Sequence, residues 1–208
     1  MNFLKSGIAA ALLVGPCLAF AATPGYLDGY YTADSKLKVH VPGAGSGDDS
    51  GDGYGLRVAA PIGDTLFVAA EYQTANLDDS DTDIDQIRAG LGFMMGEQLR
   101  FGGLAEYVHL KLDAGGGDSS TPDGYGLHGR IEFAPLPAAT LYGQLGYVRV
   151  SDHGSADGLE WQVGAAYNFT PMFGAFADYR STDLKDSDNV DIKLDDVRLG
   201  LRWNFGAM

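Results

Sequence analysis

The feature that most constrains this chain is a strict alternation of apolar and polar residues. Val197, Leu199, Leu201, Trp203 and Phe205 fall on one side of the last segment, and Arg198, Gly200, Arg202 and Asn204 fall on the other. A period of two is the mark of a strand with one apolar face. The same pattern recurs at 66–73, 86–93, 99–107 and 159–169. Read along the whole chain, it predicts ten strands, at 26–39, 53–60, 65–77, 84–94, 98–112, 124–134, 139–150, 158–169, 173–183 and 194–205. The connections are of two alternating kinds. Short ones carry turn residues, as in Pro61-Ile62-Gly63-Asp64 and Met95-Gly96-Glu97. Longer ones, at 40–52, 78–83, 113–123, 151–157 and 184–193, are rich in Asp, Gly and Ser. Hairpins thus repeat about every 35 residues. Short turns on one side only favour a meander closing into an up-and-down barrel over a solenoid or propeller.

Composition narrows the class. The chain has 208 residues, 30 of them glycine, and glycine at that level disfavours a helical bundle. Lys+Arg is 14 against Asp+Glu 28, a net charge of −14. That excludes a nucleic-acid binder, which needs a basic face for phosphates. One cysteine excludes a disulfide scaffold. Residues 1–21 read as a secretory signal peptide: Lys5, an apolar stretch from Ile8 to Phe20, and small residues Ala19 and Ala21 before the cleavage point. Residues 22–208 then form a single barrel domain. Cys17 leaves with the signal, which suits export to an oxidising compartment.

The direction of the apolar face decides between a soluble and a membrane barrel. The other face carries Arg57, Glu71, Arg88, Arg100, Glu106, Arg130, Glu160, Asp178, Arg198 and Arg202, with Gln73, His128, Glu132, Gln144, Gln162 and Arg180. The aromatics on the apolar face form two bands. Tyr72, Tyr107, Tyr125, Tyr147 and Tyr179 lie toward the longer connections; Phe93, Phe133, Phe169 and Trp203 lie toward the short ones. Two aromatic girdles around an aliphatic zone, with unequal loops, are the pattern of an outer-membrane barrel. The expectation is therefore an all-β, closed antiparallel up-and-down transmembrane β-barrel. It has ten strands, with eight as the alternative, short periplasmic turns and longer acidic extracellular loops. Its place is the outer membrane of a Gram-negative bacterium.

The sequence resembles small bacterial outer-membrane barrels. More narrowly, it is similar to the xanthomonad outer-membrane barrel family once described as a secreted activator of plant immunity. The segments that carry the likeness are 83–92 (DIDQIRAGLG), 142–147 (YGQLGY) and 163–169 (VGAAYNF). The last strand, through Val197, Leu199, Leu201, Trp203 and Phe205, resembles the assembly signal read by the outer-membrane insertion machinery, although Gly206-Ala207-Met208 follows the aromatic residue. The resemblance implies a surface barrel whose partners are outer-membrane lipid and lipopolysaccharide, the insertion machinery and periplasmic chaperones.

Candidate chemistry is sparse. The lumen charges read either as an ion-selective pore or as a plug of salt bridges, and a barrel of this size has little spare bore. Asp78, Asp79, Asp81, Asp83, Asp186, Asp188 and Asp191 are candidate Ca²⁺ or Mg²⁺ ligands in the loops, without a twelve-residue Ca²⁺-loop pattern. Some outer-membrane barrels are enzymes, and His109 and His153-Gly154-Ser155 are the candidates for Asp/His or His-x-Ser arrangements. No cofactor fingerprint is present. The expected role is non-enzymatic, in envelope structure and surface interaction. A narrow channel for small solutes is the alternative, and a lipid- or peptide-hydrolysing enzyme is the third reading.

Overall fold

A computed structural model describes residues 25–80, 82–114, 118–152 and 154–206. Residues 1–21, expected as a signal peptide, and Asp81 and His153 lie outside the described residues. The strands are β1 (Gly25–Val41), β2 (Gly45–Ile62), β3 (Leu66–Leu77), β4 (Thr82–Met95), β5 (Leu99–Ala114), β6 (Asp118–Ser120), β7 (Asp123–Leu136), β8 (Ala139–Ser151), β9 (Ser155–Asn168), β10 (Phe173–Asp186) and β11 (Asp191–Phe205). Ten of them pair with their sequence neighbours in an antiparallel meander, and β1 pairs with β11 to close it. The short β6 folds back on the loop end of β5. Closure leaves no sheet edge, the condition for a sheet in lipid. At the short turns Gly63 and Gly96 take φ of +68° and +103°, which a residue with a Cβ rarely adopts.

The connections at 40–52 and 184–193 are largely strand, whereas 78–80 is the expected turn. The segment 40–52, expected as a loop, contains the end of β1, a turn at 42–44 and the start of β2. Segment 184–193 likewise holds only a turn between β10 and β11. The cause is an inversion of the alternation. On β10, Ala175 and Ala177 face out and Phe176 and Asp178 face in; higher up, Asp183 and Lys185 face out and Leu184 faces in. On β11, Val197 and Leu199 face out beside the inward Arg198, whereas Lys193 and Asp195 face out. Each strand keeps its period of two but exchanges its polar and apolar faces. Below the exchange the chain presents its apolar face outward, as in lipid. Above it the chain presents its polar face outward, as in water.

The exchange happens at one level around the barrel. In each of the five loop-side hairpins a tyrosine on the first strand donates to an aspartate on the second, two residues before the tyrosine's cross-strand partner. The pairs are Tyr31–Asp52, Tyr72–Asp85, Tyr107–Asp123, Tyr147–Asp157 and Tyr179–Asp195. The Tyr72 and Tyr179 hydroxyls lie 3.0 and 2.8 Å from their carboxylates. A tyrosine at a lipid–water boundary buries its ring and keeps its hydroxyl wet, which fits this position. From Asp85 to Met95 on β4, at about 3.3 Å per residue and a tilt of about 40°, the strand covers roughly 25 Å, the height of the apolar band of such barrels. The band carries exposed Leu56, Leu91, Leu127, Leu145, Val163 and Leu201. A continuous apolar belt of that kind is foreign to a water-exposed surface.

Candidate functional site

The interior is the candidate site, and it is full. Seven guanidinium groups (Arg57, Arg88, Arg100, Arg130, Arg180, Arg198, Arg202) meet seven carboxylates (Asp28, Glu71, Glu106, Glu132, Glu160, Asp178, Asp196). Counting the arginines and carboxylates alone, the network carries no formal charge, so the whole formal net charge of −14 lies outside it. Asp178 is one hub. It accepts from Arg198 Nε at 2.6 Å, Arg57 Nη1 at 3.2 Å, Tyr142 Oη at 2.8 Å and Gln162 Nε2 at 2.9 Å. Glu71 Oε1 is a second, taking Arg198 Nη1 at 2.8 Å, Arg180 Nη1 at 2.9 Å and Tyr30 Oη at 3.0 Å. Asp28 takes two bonds each from Arg57 and Arg202. Buried ions survive only when paired and hydrogen-bonded, and here several donors converge on each carboxylate.

All twelve arginines and carboxylates singled out for the inward face from the alternation lie inside the barrel. Two network members, Asp28 and Asp196, were missed. Asp28 sits on β1, whose register shifts between Thr32 and Asp34. A bulge of that kind exchanges the faces and blurs the pattern. Asp196 follows Asp195, and neighbouring aspartates at the level of the exchange give no sign of which one turns inward. Aromatics also reach the interior. Tyr30, Tyr142 and Phe176 cluster there, with Arg57 4.9 Å from the Phe176 ring centre and Arg202 3.9 Å from that of Tyr26.

Inward glycines make room for these large groups. A Cβ on Gly55 would lie 2.3 Å from the Tyr30 ring, and one on Gly146 would lie 2.3 Å from the His128 ring. This is a close-packing use of glycine, in strands that would otherwise favour bulkier residues.

Above the charged layer the interior turns apolar. Val108, Val148, Val150 and Leu184 pack together, with Leu110, Ala156 and Ile192 against them. At the other end, inside the short turns, lies a cavity of about 270 Å³. A smaller void of about 40 Å³ lies above it within the charged layer, between Glu71, Arg88, Glu106, Arg130 and Glu160.

Among the described residues the other candidates are not gathered into one site. Asp186 accepts the backbone N–H groups of Asp188 and Val190, Asp191 pairs with Lys185, and Asp83 accepts from Asn76. These bonds shape hairpin tips, and among the described residues the loop aspartates form no group of three potential metal ligands. Asp49 holds the neighbouring tip: the Ser80 hydroxyl and the N–H groups of Asp79, Ser80 and Ser50 donate to it and hold its carboxyl below the ordinary value. Among the described residues, one group of three metal-ligating side chains comes together: Glu106, His128 and Glu160. Its cation position is already taken by Arg88, whose Nη1 lies 2.8 Å from Glu106 and 2.7 Å from Glu160. His109 does meet an aspartate, with Nδ1 2.6 Å from Asp123. Both sit on the outward face beside Tyr107, away from the lumen.

The predicted girdle residues lie on the outside. Phe93, Phe133, Phe169 and Trp203 are exposed near the short turns; Tyr72, Tyr107, Tyr125 and Tyr147 are exposed at the upper level. Tyr179 is half-buried against Trp161 at 5.0 Å between ring centres. In the last strand Val197, Leu199, Leu201 and Trp203 face outward, and Phe205 packs on Trp203 at 5.8 Å.

Solved structures show the same architecture. The outer membrane protease OmpT of Escherichia coli superposes with a TM-score of 0.55 at 12% identity, over 91% of this chain and 99% of that one. An outer membrane channel from Pseudomonas putida F1 gives 0.54 at 11% identity, over 92% and 98%. The translocator domain of autotransporter NalP from Neisseria meningitidis gives 0.50 at 14% identity, over 88% and 89%. At such identities a protease and a channel share the fold alone. No curated protein matches the sequence. The family described as the outer membrane protein beta-barrel domain, however, matches residues 7–205, which takes in every strand from β1 to the last residue of β11. The chain belongs to that family.

Proposed function

We propose that this protein is a closed, non-enzymatic barrel of a Gram-negative outer membrane, serving envelope structure and surface interaction through its loop-side hairpins. One observation carries the reading: the charge-balanced network across the lumen, capped by the apolar cluster around Val108 and Leu184. A permeant ion would have to displace arginines that each hold buried carboxylates, and then cross an apolar plug. In the proposed orientation the short turns face the periplasm and the hairpins above the Tyr–Asp level face outward. The band below that level meets outer-membrane lipid, and the polar face above it meets lipopolysaccharide and its bridging divalent cations. The N-terminal segment acts as the export signal, and the outward face of β11 acts as the assembly signal. The likeness to the xanthomonad family belongs to the same reading, since its segments 83–92, 142–147 and 163–169 fall within or at the edge of β4, β8 and β9.

Planar-bilayer recording tests the reading. The refolded protein gives no stable single-channel steps. A variant carrying Arg88→Ser, Glu160→Ser, Val108→Ser and Leu184→Ser conducts. Stable steps from the unaltered protein would overturn the closed barrel and favour the narrow channel.

A further inference from the structure

The lumen network is neutral as a whole but unevenly distributed along the barrel. Eight of its groups balance in the middle: Asp28, Glu71, Asp178 and Asp196 against Arg57, Arg180, Arg198 and Arg202. Toward the hairpins, Arg88 faces both Glu106 and Glu160, an acidic excess beside His128. Toward the short turns, Arg100 and Arg130 share the single carboxylate of Glu132, a basic excess. That excess lines the 270 Å³ cavity.

The two arginines are incompletely used. Arg100 donates Nη1 to Glu132 at 2.9 Å, and Arg130 donates Nε to its other oxygen at 2.9 Å. The Nη1 and Nη2 groups of Arg130 make no hydrogen bond to another described residue. They belong to a side chain that is 12% exposed and lines both this cavity and the small void above it. Tyr142 lies 5.6 Å from the Arg130 guanidinium and holds it from the side. A guanidinium fork with two free nitrogens in a low-dielectric recess matches the paired oxygens of a carboxylate or phosphate. The cavity wall is otherwise mixed, with Tyr26, Phe67 and Met94 beside Asn168 and Asn204. Its volume sits near the lower limit of small-molecule pockets, about 300 Å³. Asp64 and Glu97 stand exposed on the turns at its mouth, which disfavours large polyanions.

We propose that the short-turn end of the barrel is a binding pocket for a small molecule carrying one carboxylate or phosphate oxyanion, held by the free fork of Arg130 with Arg100 beside it. In the orientation given above the pocket opens to the periplasm, and the network above it makes it a dead end. Binding needs no conducting path, so the bilayer recordings and this proposal stand or fall separately.

Calorimetric titration of the full mature barrel in detergent tests it, with butyrate and inorganic phosphate as probes and glycerol as the neutral control. Saturable heat from butyrate, phosphate or both supports the pocket, and the pattern tells the two oxyanion classes apart. Arg130→Gln weakens the active probe by about tenfold or more, while Arg149→Gln, on the exposed loop end of β8, leaves it unchanged. The gel shift between unboiled and boiled samples confirms that each variant is folded, and Arg100→Gln replaces Arg130→Gln if the latter does not fold. No saturable heat from either probe, equal heat from glycerol, or heat that survives both arginine substitutions would overturn the proposal.

Discussion

Arg198 is the most demanding test of the lumen network. Its side chain is fully buried, its Nε holds Asp178 at 2.6 Å, and its Nη1 holds Glu71 at 2.8 Å. Arg198→Met keeps much of the volume and removes the charge. Glu71 keeps Arg180, and Asp178 keeps Arg57, so neither carboxylate is left alone. The layer nevertheless carries one uncompensated negative charge away from water. Breaking a buried pair costs about 3–5 kcal/mol, and the remaining partners place this variant near the lower end, about 3 kcal/mol. Adding Glu71→Gln restores the charge balance. The double variant is then more stable than the sum of the two single losses predicts, by about 1–3 kcal/mol. Urea unfolding in lipid vesicles, followed by the fluorescence of Trp161 and Trp203, measures all four corners of the cycle. Strict additivity, or an Arg198→Met loss below about 1 kcal/mol, would refute the view that these charges act as one neutral network.

Two further outcomes follow from the packing and from the hairpin tips. Gly55→Ala places a methyl group where the Tyr30 ring now lies, so it costs about 1–3 kcal/mol in the same unfolding assay, and adding Tyr30→Leu recovers part of that loss. Asp49 has its carboxyl held below the ordinary 3.8 by donors found only in the folded tip. Its contribution is therefore fully present above about that pH and is lost as pH falls through the lowered folded value. Hydrogen exchange at the Asp79 and Ser80 amides, corrected for intrinsic rates, shows protection at pH 5 that declines below 3.8; Asp49→Asn removes the pH dependence.

Much of this was legible in the sequence because lipid imposes a simple rule. Within the bilayer every outward position must be apolar, so Val197, Leu199, Leu201 and Trp203 announce β11 without help from tertiary structure. The inward face follows by parity, which is why Arg57, Arg88, Glu160 and Asp178 could be placed in one lumen. Parity says nothing about partners. That Asp178 gathers Arg57 and Arg198 from β2 and β11 depends on tilt and closure, which no local pattern encodes. The rule also stops at the membrane surface. Leu37, Val39, Leu184 and Ile192 are apolar residues in phase with an inward face, and they look like noise when only the membrane phase is sought. For that reason the strand ends within 40–52 and 184–193 read as loop. The exchange of faces was present throughout as a phase shift, and the Tyr–Asp pairs mark where it falls.

That exchange is the centre of the account, since it fixes the orientation of the apolar band and the level at which the chain leaves the lipid. Spin labels placed singly at Ala175, Ala177, Ser181, Asp183 and Lys185 on β10, in vesicle-embedded protein, measure it directly through access to molecular oxygen and to a water-soluble nickel chelate. The account predicts that 175 and 177 favour oxygen and that 183 and 185 favour the nickel reagent, with the crossover at 179–181. Equal nickel access at all five positions, or a crossover displaced by a full girdle width, would contradict it.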